Sequence, residues 1–155
     1  MTFIEIIAVL GFATGVTGTV LGILNYLRDR GRVEITLQWD METFGNTEYD
    51  PSKKWGMITM TNAGRRTVYV SHVALRVPKG YDASHLIIQS GLAGKSLPEG
   101  SAAEIHVVSQ DGLEKYAKSW RDIVAQVSDS TGRVWTSKRV PKSKVPSWAE
   151  GKGAV

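Results

Sequence analysis

The chain has 155 residues, a formal net charge of +4 and no cysteine. This length suits one small domain with a modest addition, and the lack of cysteine excludes a disulfide framework and any thiolate metal site. The positive charge gathers in two short clusters, after the apolar N-terminal segment and near the C-terminus. Neither cluster is interleaved with aromatic residues on one element, so nucleic acid is not an expected partner.

The first 32 residues are the most distinctive part of the sequence. No side chain between Glu5 and Arg28 is charged. A helix of the intervening residues would be about 33 Å long, enough to cross a hydrocarbon core of about 30 Å. A signal peptide would have a basic start and a cleavage site, an interfacial helix a charged face, and a core helix a shorter apolar run. We predict a single transmembrane helix.

The orientation of this helix is predicted from the charges that flank it. Arg28, Arg30 and Arg32 follow the apolar run, whereas the N-terminal side offers only the α-amino group, offset by Glu5. Because cytoplasmic flanks carry an excess of arginine and lysine, we expect the N-terminus outside and the remaining chain in the cytoplasm. The predicted location is the cell (inner) membrane, crossed once.

Small residues line one face of the predicted helix. Their spacing alternates between three and four, and the stripe comprises Ala8, Gly11, Gly15, Gly18 and Gly22 and ends at Asn25. In lipid, small residues let helix backbones approach closely, so the stripe predicts a helix-packing face for a second copy or a partner's helix. The alternative is that glycine is simply common in membrane helices. The hydroxyls of Thr14, Thr17 and Thr19 are expected to bond to their own helix.

The chain after Arg32 changes to a pattern typical of strands. Alternating or β-branched runs predict strands at 33–40, 55–61, 67–77 and 103–108, with Ile105 and Val107 as the buried side of the last. The apolar phase slips within the third run, and a β-bulge near Ser71 and His72 would reconcile its two halves. A Gly/Ser-rich stretch at 90–96 reads as a loop and lacks the spacing of a phosphate-binding loop.

The last third of the chain combines a helical stripe with a hairpin. Leu113, Tyr116, Ala117 and Trp120 are spaced as one face of a short amphipathic helix, with Asp111 as its expected N-cap. Residues 123–136 predict a β-hairpin with Gly132 in the left-handed conformation. Residues 141–155 are read as a flexible polar and basic tail, whose Trp148 could dock on the domain or at the membrane interface.

Together these elements predict a mainly β fold. We expect an antiparallel immunoglobulin-like β-sandwich with one short helix, preceded by a single N-terminal transmembrane α-helix. A small open barrel is the alternative. The predicted organisation is a transmembrane helix and basic juxtamembrane segment at 1–32, a β-sandwich domain at 33–140 and the tail at 141–155.

Residues that carry chemistry are sparse in this sequence. His72, His85 and His106 are the only histidines, and none has a second ligand at metal spacing. The carboxylates are scattered, and the serines lack the context of a catalytic nucleophile. We predict no catalytic, cofactor-binding or metal-binding residue, hence no enzyme, no cofactor and no small-molecule substrate.

Several local motifs point to one group of proteins. They are the N-x-G-x-R turn beginning at Asn62, the V-x-V…V-x-L strand from Val68 to Leu75, the L-P-x-G turn at Leu97 and the D-S-x-G-R turn at Asp129. With the N-terminal apolar helix, this order resembles uncharacterised bacterial membrane-anchored proteins that have one transmembrane helix and an immunoglobulin-like domain. The resemblance implies an architecture and no functional residue.

Two functions are compatible with this reading. The first is a non-enzymatic single-span protein that presents a β-sandwich interaction domain at the membrane and associates with itself through the glycine stripe. The alternative is a structural subunit of a larger membrane complex or pore, in which the helix is the active element. The expected partners are the lipid bilayer and a protein or a second copy of the chain.

Overall fold

The computed structural model describes residues 2–45, 48–88 and 94–151. A long helix α1 (Phe3–Arg28) precedes a domain whose strands are β1 (Val33–Met41), β2 (Trp55–Asn62), β3 (Val68–Arg76), β4 (His85–Ile88), β5 (Ser96–Leu97), β6 (Glu104–Ser109), β7 (Val124–Asp129) and β8 (Val134–Thr136). Two 3-10 helices, Glu114–Asp122 and Ser147–Ala149, complete the fold. Residues 89–93, within or beside the predicted Gly/Ser-rich loop, and residues 152–155 of the predicted tail lie outside the described residues.

Helix α1 begins with a capping box. The Glu5 amide donates to the Thr2 hydroxyl and the Thr2 amide donates to the Glu5 carboxylate, which satisfies two otherwise free donors of the first turn. The helix is long and apolar enough to cross a membrane, a property that signal sequences near an N-terminus share, and its apolar window is 0% buried. This length and apolarity agree with the sequence prediction.

Threonine hydroxyls within α1 find partners in the helix itself. Those of Thr14, Thr17 and Thr19 donate to the carbonyl oxygens four residues earlier, at 2.8 to 2.9 Å. The prediction for these side chains is confirmed. Such bonds keep a hydroxyl satisfied where no water is present, so these threonines are compatible with a hydrocarbon environment.

The strands form two antiparallel sheets. One has the order β1-β2-β6, and the other has the order β4-β3-β7-β8, with β5 paired to β3. Strand β3 carries the predicted bulge, because its register against β7 shifts between Val70 and His72. The N-terminal helix and the antiparallel sheet domain are confirmed, whereas the immunoglobulin-like arrangement stays a prediction.

One hydrophobic core lies between the two sheets. Strand β1 contributes alternate side chains to it, and the opposite sheet contributes residues such as Val73, Leu75 and Val127. Burying each large aliphatic side chain stabilises the fold by roughly 1.5 to 3 kcal/mol. The alternation that predicted β1 as half-buried is thus the alternation that builds the core.

Strand β6 presents the face opposite to the predicted one. Ile105 is 56% exposed, whereas Val108 packs against the core. Pairing with β2 explains the reversal, because Ile58 lies opposite His106 and cross-strand partners share one side of a sheet. His106 therefore lies on the core side of the sheet with the buried Ile58, and Ile105 lies on the other side. The prediction of Ile105 as buried is wrong.

The predicted amphipathic helix is a 3-10 helix with a break. Leu113, Tyr116 and Ala117 are buried as the stripe predicted, but Ser119 has non-helical dihedral angles. Asp111 is not its cap, because the helix begins after Leu113 and the Asp111 carboxylate accepts a hydrogen bond from Lys53 at 2.8 Å. The ion pair across 58 residues of sequence replaces the local cap.

The turn between β7 and β8 is built around the Asp129 carboxylate. One oxygen accepts hydrogen bonds from the Thr131 amide, the Thr131 hydroxyl and the Arg133 amide, each 2.8 Å long. Gly132 has φ of 84°, as predicted for this hairpin. The D-S-x-G-R motif is therefore a self-contained turn whose aspartate organises three donors.

The pH dependence of this turn follows from the same contacts. Burial raises the pKa of Asp129, but hydrogen bonds from Thr131 and Arg133 and the Arg133 charge outweigh it and lower the pKa below its usual value. A carboxyl with a lower pKa in the folded state stabilises the fold above its unfolded pKa of about 3.9, and this contribution is lost as the pH falls through the folded value.

We expect Asp129→Asn to lower the urea midpoint more at neutral pH than in acid. An equal loss at both pH values would contradict this account.

Candidate functional site

The junction between helix and domain is closely packed. Four residues separate α1 from β1, and the Ala63 amide donates to the Arg32 carbonyl at 2.8 Å. A Cβ added at Gly64 would lie 2.5 Å from the Arg32 nitrogen and closer still to the Arg30 carbonyl oxygen. The backbone of the turn at 62–66 therefore rests directly on the segment that leaves the helix.

Asn62 holds this turn in shape. Its amide nitrogen donates to the carbonyl oxygens of Arg66 and Leu97, both at 2.8 Å, and its amide oxygen accepts from the Gly64 amide at 2.9 Å. Asn62 is 7% exposed, and the three hydrogen-bond partners of its side chain are backbone groups. The N-x-G-x-R motif is thus the device that joins the turn, the junction and β5.

The arginines predicted to orient the membrane segment lie at this junction and are exposed. The Arg30 guanidinium stacks over the Tyr26 ring, 4.9 Å from its centroid, and Arg32 pairs with Glu34 at 2.9 Å. Arg28 is the last residue of α1, where a positive charge complements the helix dipole. The predicted orientation of the helix stays a prediction.

One concave surface of the domain is a groove between the two sheets, which we call the edge groove. It has a volume of about 860 Å³. One wall is the edge strand β1 with Arg32, and the other consists of Trp135, Thr136, residues 138–141, Lys144 and Val145. Strand β8 is the corresponding edge of the second sheet. The edge groove therefore opens where two sheet edges face each other.

The backbone of β1 is free along this groove. The hydrogen bond from the Ala63 amide to the Arg32 carbonyl shows that Arg32 and Ala63 are a hydrogen-bonded pair of the antiparallel ladder. The pairing of β1 with β2 continues without a register shift as far as Gln38. Because such pairs alternate along an antiparallel ladder, the amides and carbonyls of Val33, Ile35 and Leu37 point away from β2. Among the described residues, β1 has β2 as its one strand partner, so these groups face the groove.

The walls of the edge groove are apolar at the base and basic at the rim. The apolar part includes Trp39, Trp135 and Val140, and the rim carries Lys138 and Lys144. Arg139 is paired with Asp122 at 2.9 Å, whereas no described residue forms an ion pair with Lys138 or Lys144. A ligand with apolar side chains and some negative charge suits this surface.

The wall formed by residues 138–145 is held at its far end by Trp148. This ring packs edge-on against Trp39, with centroids 5.6 Å apart, and it is 8% exposed. The Asp40 carboxylate accepts from the Ser147 amide and hydroxyl, both at 2.7 Å. Of the two sites that the sequence left open for Trp148, the structure places it on the domain.

The histidines lie apart from one another in the fold. His72 and His85 are exposed, and His106 faces the core side of β6, where burial lowers its pKa. In the part of the chain that the structure describes, no three His, Asp or Glu side chains are grouped to hold a metal ion. The predictions of no catalytic, cofactor-binding or metal-binding residue stay predictions.

The glycine stripe lies on an uncovered face of α1. Apart from the adjacent backbone of the helix itself, no described atom lies within 4 Å of a Cβ added at Gly11, Gly15, Gly18 or Gly22. Ala8 and Asn25 are likewise exposed. No described part of the domain covers this face, and its role in helix packing stays a prediction.

No family model matches the sequence. No curated protein matches it either. The resemblance to bacterial membrane-anchored proteins therefore stays a prediction.

The edge groove has only an indirect signature in the sequence. Alternation identified β1 as half-buried, but alternation does not tell an edge strand from a central one. The opposite wall includes Pro141, Lys144 and Val145, which belong to the predicted tail, a segment rich in lysine and proline. Pairing order and the docking of Trp148 create this surface, and neither is a local property of the chain.

Proposed function

We propose that this protein is a non-enzymatic, single-span membrane protein whose β domain binds an extended segment of a protein partner in the edge groove. The observation that carries the proposal is the free backbone of β1 at Val33, Ile35 and Leu37, which faces a groove instead of another strand. An unpaired edge of this kind is a template for strand addition, in which main-chain hydrogen bonds supply affinity. The apolar base and the lysine rim supply selectivity.

Membrane attachment in this proposal rests on α1. Its large apolar side chains, among them Phe3, Leu10 and Phe12, are 44% to 78% exposed, and no described part of the protein covers them. In water this exposure would be costly, whereas in a bilayer it is the favourable arrangement. Extraction of membranes with alkaline carbonate tests attachment: the protein should stay in the pellet, and its release would contradict the anchor.

Site-specific photo-crosslinking tests the edge groove as the binding surface. A benzophenone side chain at Thr36 on one wall or Thr136 on the other should capture a partner in cells, because both positions line the groove and are exposed. Ile105, exposed on the opposite edge of the same sheet, is the matched control. Equal capture from Ile105, or none from either groove position, would contradict the assignment.

Hydrogen exchange provides a test that needs no partner. The amides of Val33, Ile35 and Leu37 should exchange about tenfold or more faster than those of the intervening Glu34 and Thr36, which bond to β2. Nuclear magnetic resonance of the full-length protein in micelles measures each amide separately. Uniform protection along β1 would show that its outer edge is already paired.

The uncovered glycine face favours a second candidate function, in which the helix itself is the active element of a larger membrane complex or pore. Small residues with no atom near them on a long apolar helix leave room for another backbone. The same face can serve self-association of the binding module. The two candidate functions differ in which substitutions abolish them: those in the edge groove for partner binding, and those in the glycine stripe for a helix that is itself the active element.

Substitutions in the stripe separate these candidates. Gly15→Leu or Gly18→Leu should disrupt helix pairing, since a bulky side chain keeps the backbones apart, and crosslinked dimers should fall by about tenfold. Val16→Leu, on another face of the helix, is the control. If both glycine variants keep dimers and activity, the stripe is not a packing face. If an unrelated span preserves activity, the helix is only an anchor.

A further inference from the structure

A second, smaller cleft lies where the helix meets the domain, and we call it the exit cleft. It has a volume of about 570 Å³ and is lined by arginines from three separate parts of the fold, Arg30, Arg66 and Arg133. Tyr26 and Trp135 also line it. The sequence places more than 100 positions between the first and last of these arginines, so only the fold brings them together.

The packing of the domain explains this convergence. Arg66 lies two residues before the first residue of β3. The turn between β7 and β8 lies beside the start of β3, because the Ser130 amide donates to the Tyr69 carbonyl at 3.0 Å. Arg133 closes that turn. The turn at 62–66, which contains Arg66, packs against the segment that carries Arg30, since the Ala63 amide donates to the Arg32 carbonyl and the Gly64 backbone lies against Arg30. All three arginines therefore sit at the helix end of the domain.

The depth of the exit cleft follows from Tyr26, on the proposed function that α1 spans a bilayer. Tyr26 belongs to the last turn of α1, and aromatic residues at this position lie at the level of the lipid headgroups. Since the same cleft is lined by Arg66, Arg133 and Trp135, these domain residues lie at that level too. The cleft thus opens where phosphate groups are concentrated.

The charges in the exit cleft are unbalanced. Among its lining residues, three arginines face one carboxylate, that of Asp29, and no described residue forms an ion pair with Arg30, Arg66 or Arg133. The Asp129 carboxylate accepts three hydrogen bonds from its own turn on one oxygen, and its charge interacts with that of Arg133 without forming an ion pair. Arginine forks match phosphate oxygens, and an adjacent tryptophan suits the boundary between headgroup and acyl chain.

From this arrangement we propose that the exit cleft binds the headgroup of an anionic phospholipid. The phosphate is held by Arg66 and Arg133 from the domain and by Arg30 from the junction. Trp135 and the half-exposed Val134 contact the glycerol and upper acyl region. The domain is thereby seated on the bilayer surface instead of turning freely at the end of its helix.

Lipid titration of the full-length protein in detergent micelles, followed by native mass spectrometry, tests this proposal. Phosphatidylglycerol should bind in preference to phosphatidylcholine. The variant Arg66→Gln/Arg133→Gln should weaken the first phosphatidylglycerol site by roughly 30-fold, since each arginine at an anionic surface contributes about a fivefold factor. The variant Arg66→Lys/Arg133→Lys should retain most of the preference for the anionic lipid.

A matched control makes the result specific to the cleft. Arg65→Gln/Arg76→Gln removes the same charge from the adjacent position of the turn and from the far end of β3, neither of which lines the cleft. It should change the affinity by less than about twofold. Equal losses in both double variants, or equal affinity for the two lipids, would overturn the headgroup site.

Two further measurements, competition by inorganic phosphate and insertion into lipid nanodiscs, distinguish a wrong lipid assignment from a wrong membrane anchor. If inorganic phosphate displaces phosphatidylglycerol completely, the cleft is a general anion site and the lipid assignment is overturned. If the protein fails to enter lipid nanodiscs and is released by carbonate, the anchor itself fails. A protein that enters nanodiscs but shows no lipid preference overturns the exit cleft alone.

Discussion

Replacing Gly64 by alanine is expected to destabilise the β domain by about 3 kcal/mol, because the position has no room for a side chain. The added Cβ would meet backbone atoms, including the Arg32 nitrogen at 2.5 Å and the Gly31 carbonyl carbon at 3.0 Å. A flexible side chain could move aside, but this segment is held by the bond from Ala63 to Arg32. The turn must therefore separate from the helix exit or distort around Asn62.

Urea unfolding of the full-length protein in mild detergent, followed by circular dichroism of the β signal, measures this change. Ala63→Ser is the control, since Ala63 is exposed in the same turn and should shift stability by no more than about 0.5 kcal/mol. A Gly64→Ala protein with unchanged stability would contradict the close packing at the junction. Because the junction also positions Arg66, we expect the same variant to weaken the exit cleft.

The second large effect is expected at Trp148, near the C-terminus. Trp148→Ala should destabilise the domain by about 3 to 5 kcal/mol, because it removes a buried indole and leaves a cavity beside Trp39. The ring is 8% exposed and meets Trp39 at an interplanar angle of 86°. Two hydrogen bonds from Ser147 to Asp40 hold the segment in place, so it has little freedom to collapse into the space.

The same unfolding measurement applies here, with Phe44→Ala as the control. Phe44 is 103% exposed, so its truncation should change stability by less than about 0.5 kcal/mol. A loss below about 1 kcal/mol at Trp148 would show that the segment is only loosely attached. Because residues 138–145 run between β8 and Trp148, we also expect Trp148→Ala to lower photo-crosslinking from Thr136.

The features of the fold that the sequence predicted are set by neighbours in the chain. The alternation of β1, the phase slip in β3 and the turn at Gly132 all appear where expected. Each depends on the period of a strand or on the dihedral angles of one residue, and both act locally. The burial of Tyr116 and Ala117 was also predicted, although the helix that carries them is 3-10.

The features that were missed depend on partners far away in the chain. Ile105 is more apolar than its neighbour His106, yet its side chain faces outward. His106 pairs with the buried Ile58 on β2, and cross-strand partners share one side of the sheet. Asp111 satisfies the rules for a cap, but Lys53 competes for its carboxylate. In both places a contact formed only in the folded state outweighs a local preference.

The sequence by itself determined an uncharged apolar helix with arginines at its exit, a glycine stripe, and a following run of strands and turns, because charge, composition and period are properties of short segments. Tertiary structure alone decided which strand lies at the edge, which residues form the second wall of the edge groove, and which arginines share the exit cleft. Those outcomes depend on pairing order and on contacts such as Asn62 with Leu97 and Asp40 with Ser147. Such contacts join residues 35 and 107 positions apart, and no pattern within a short window records them.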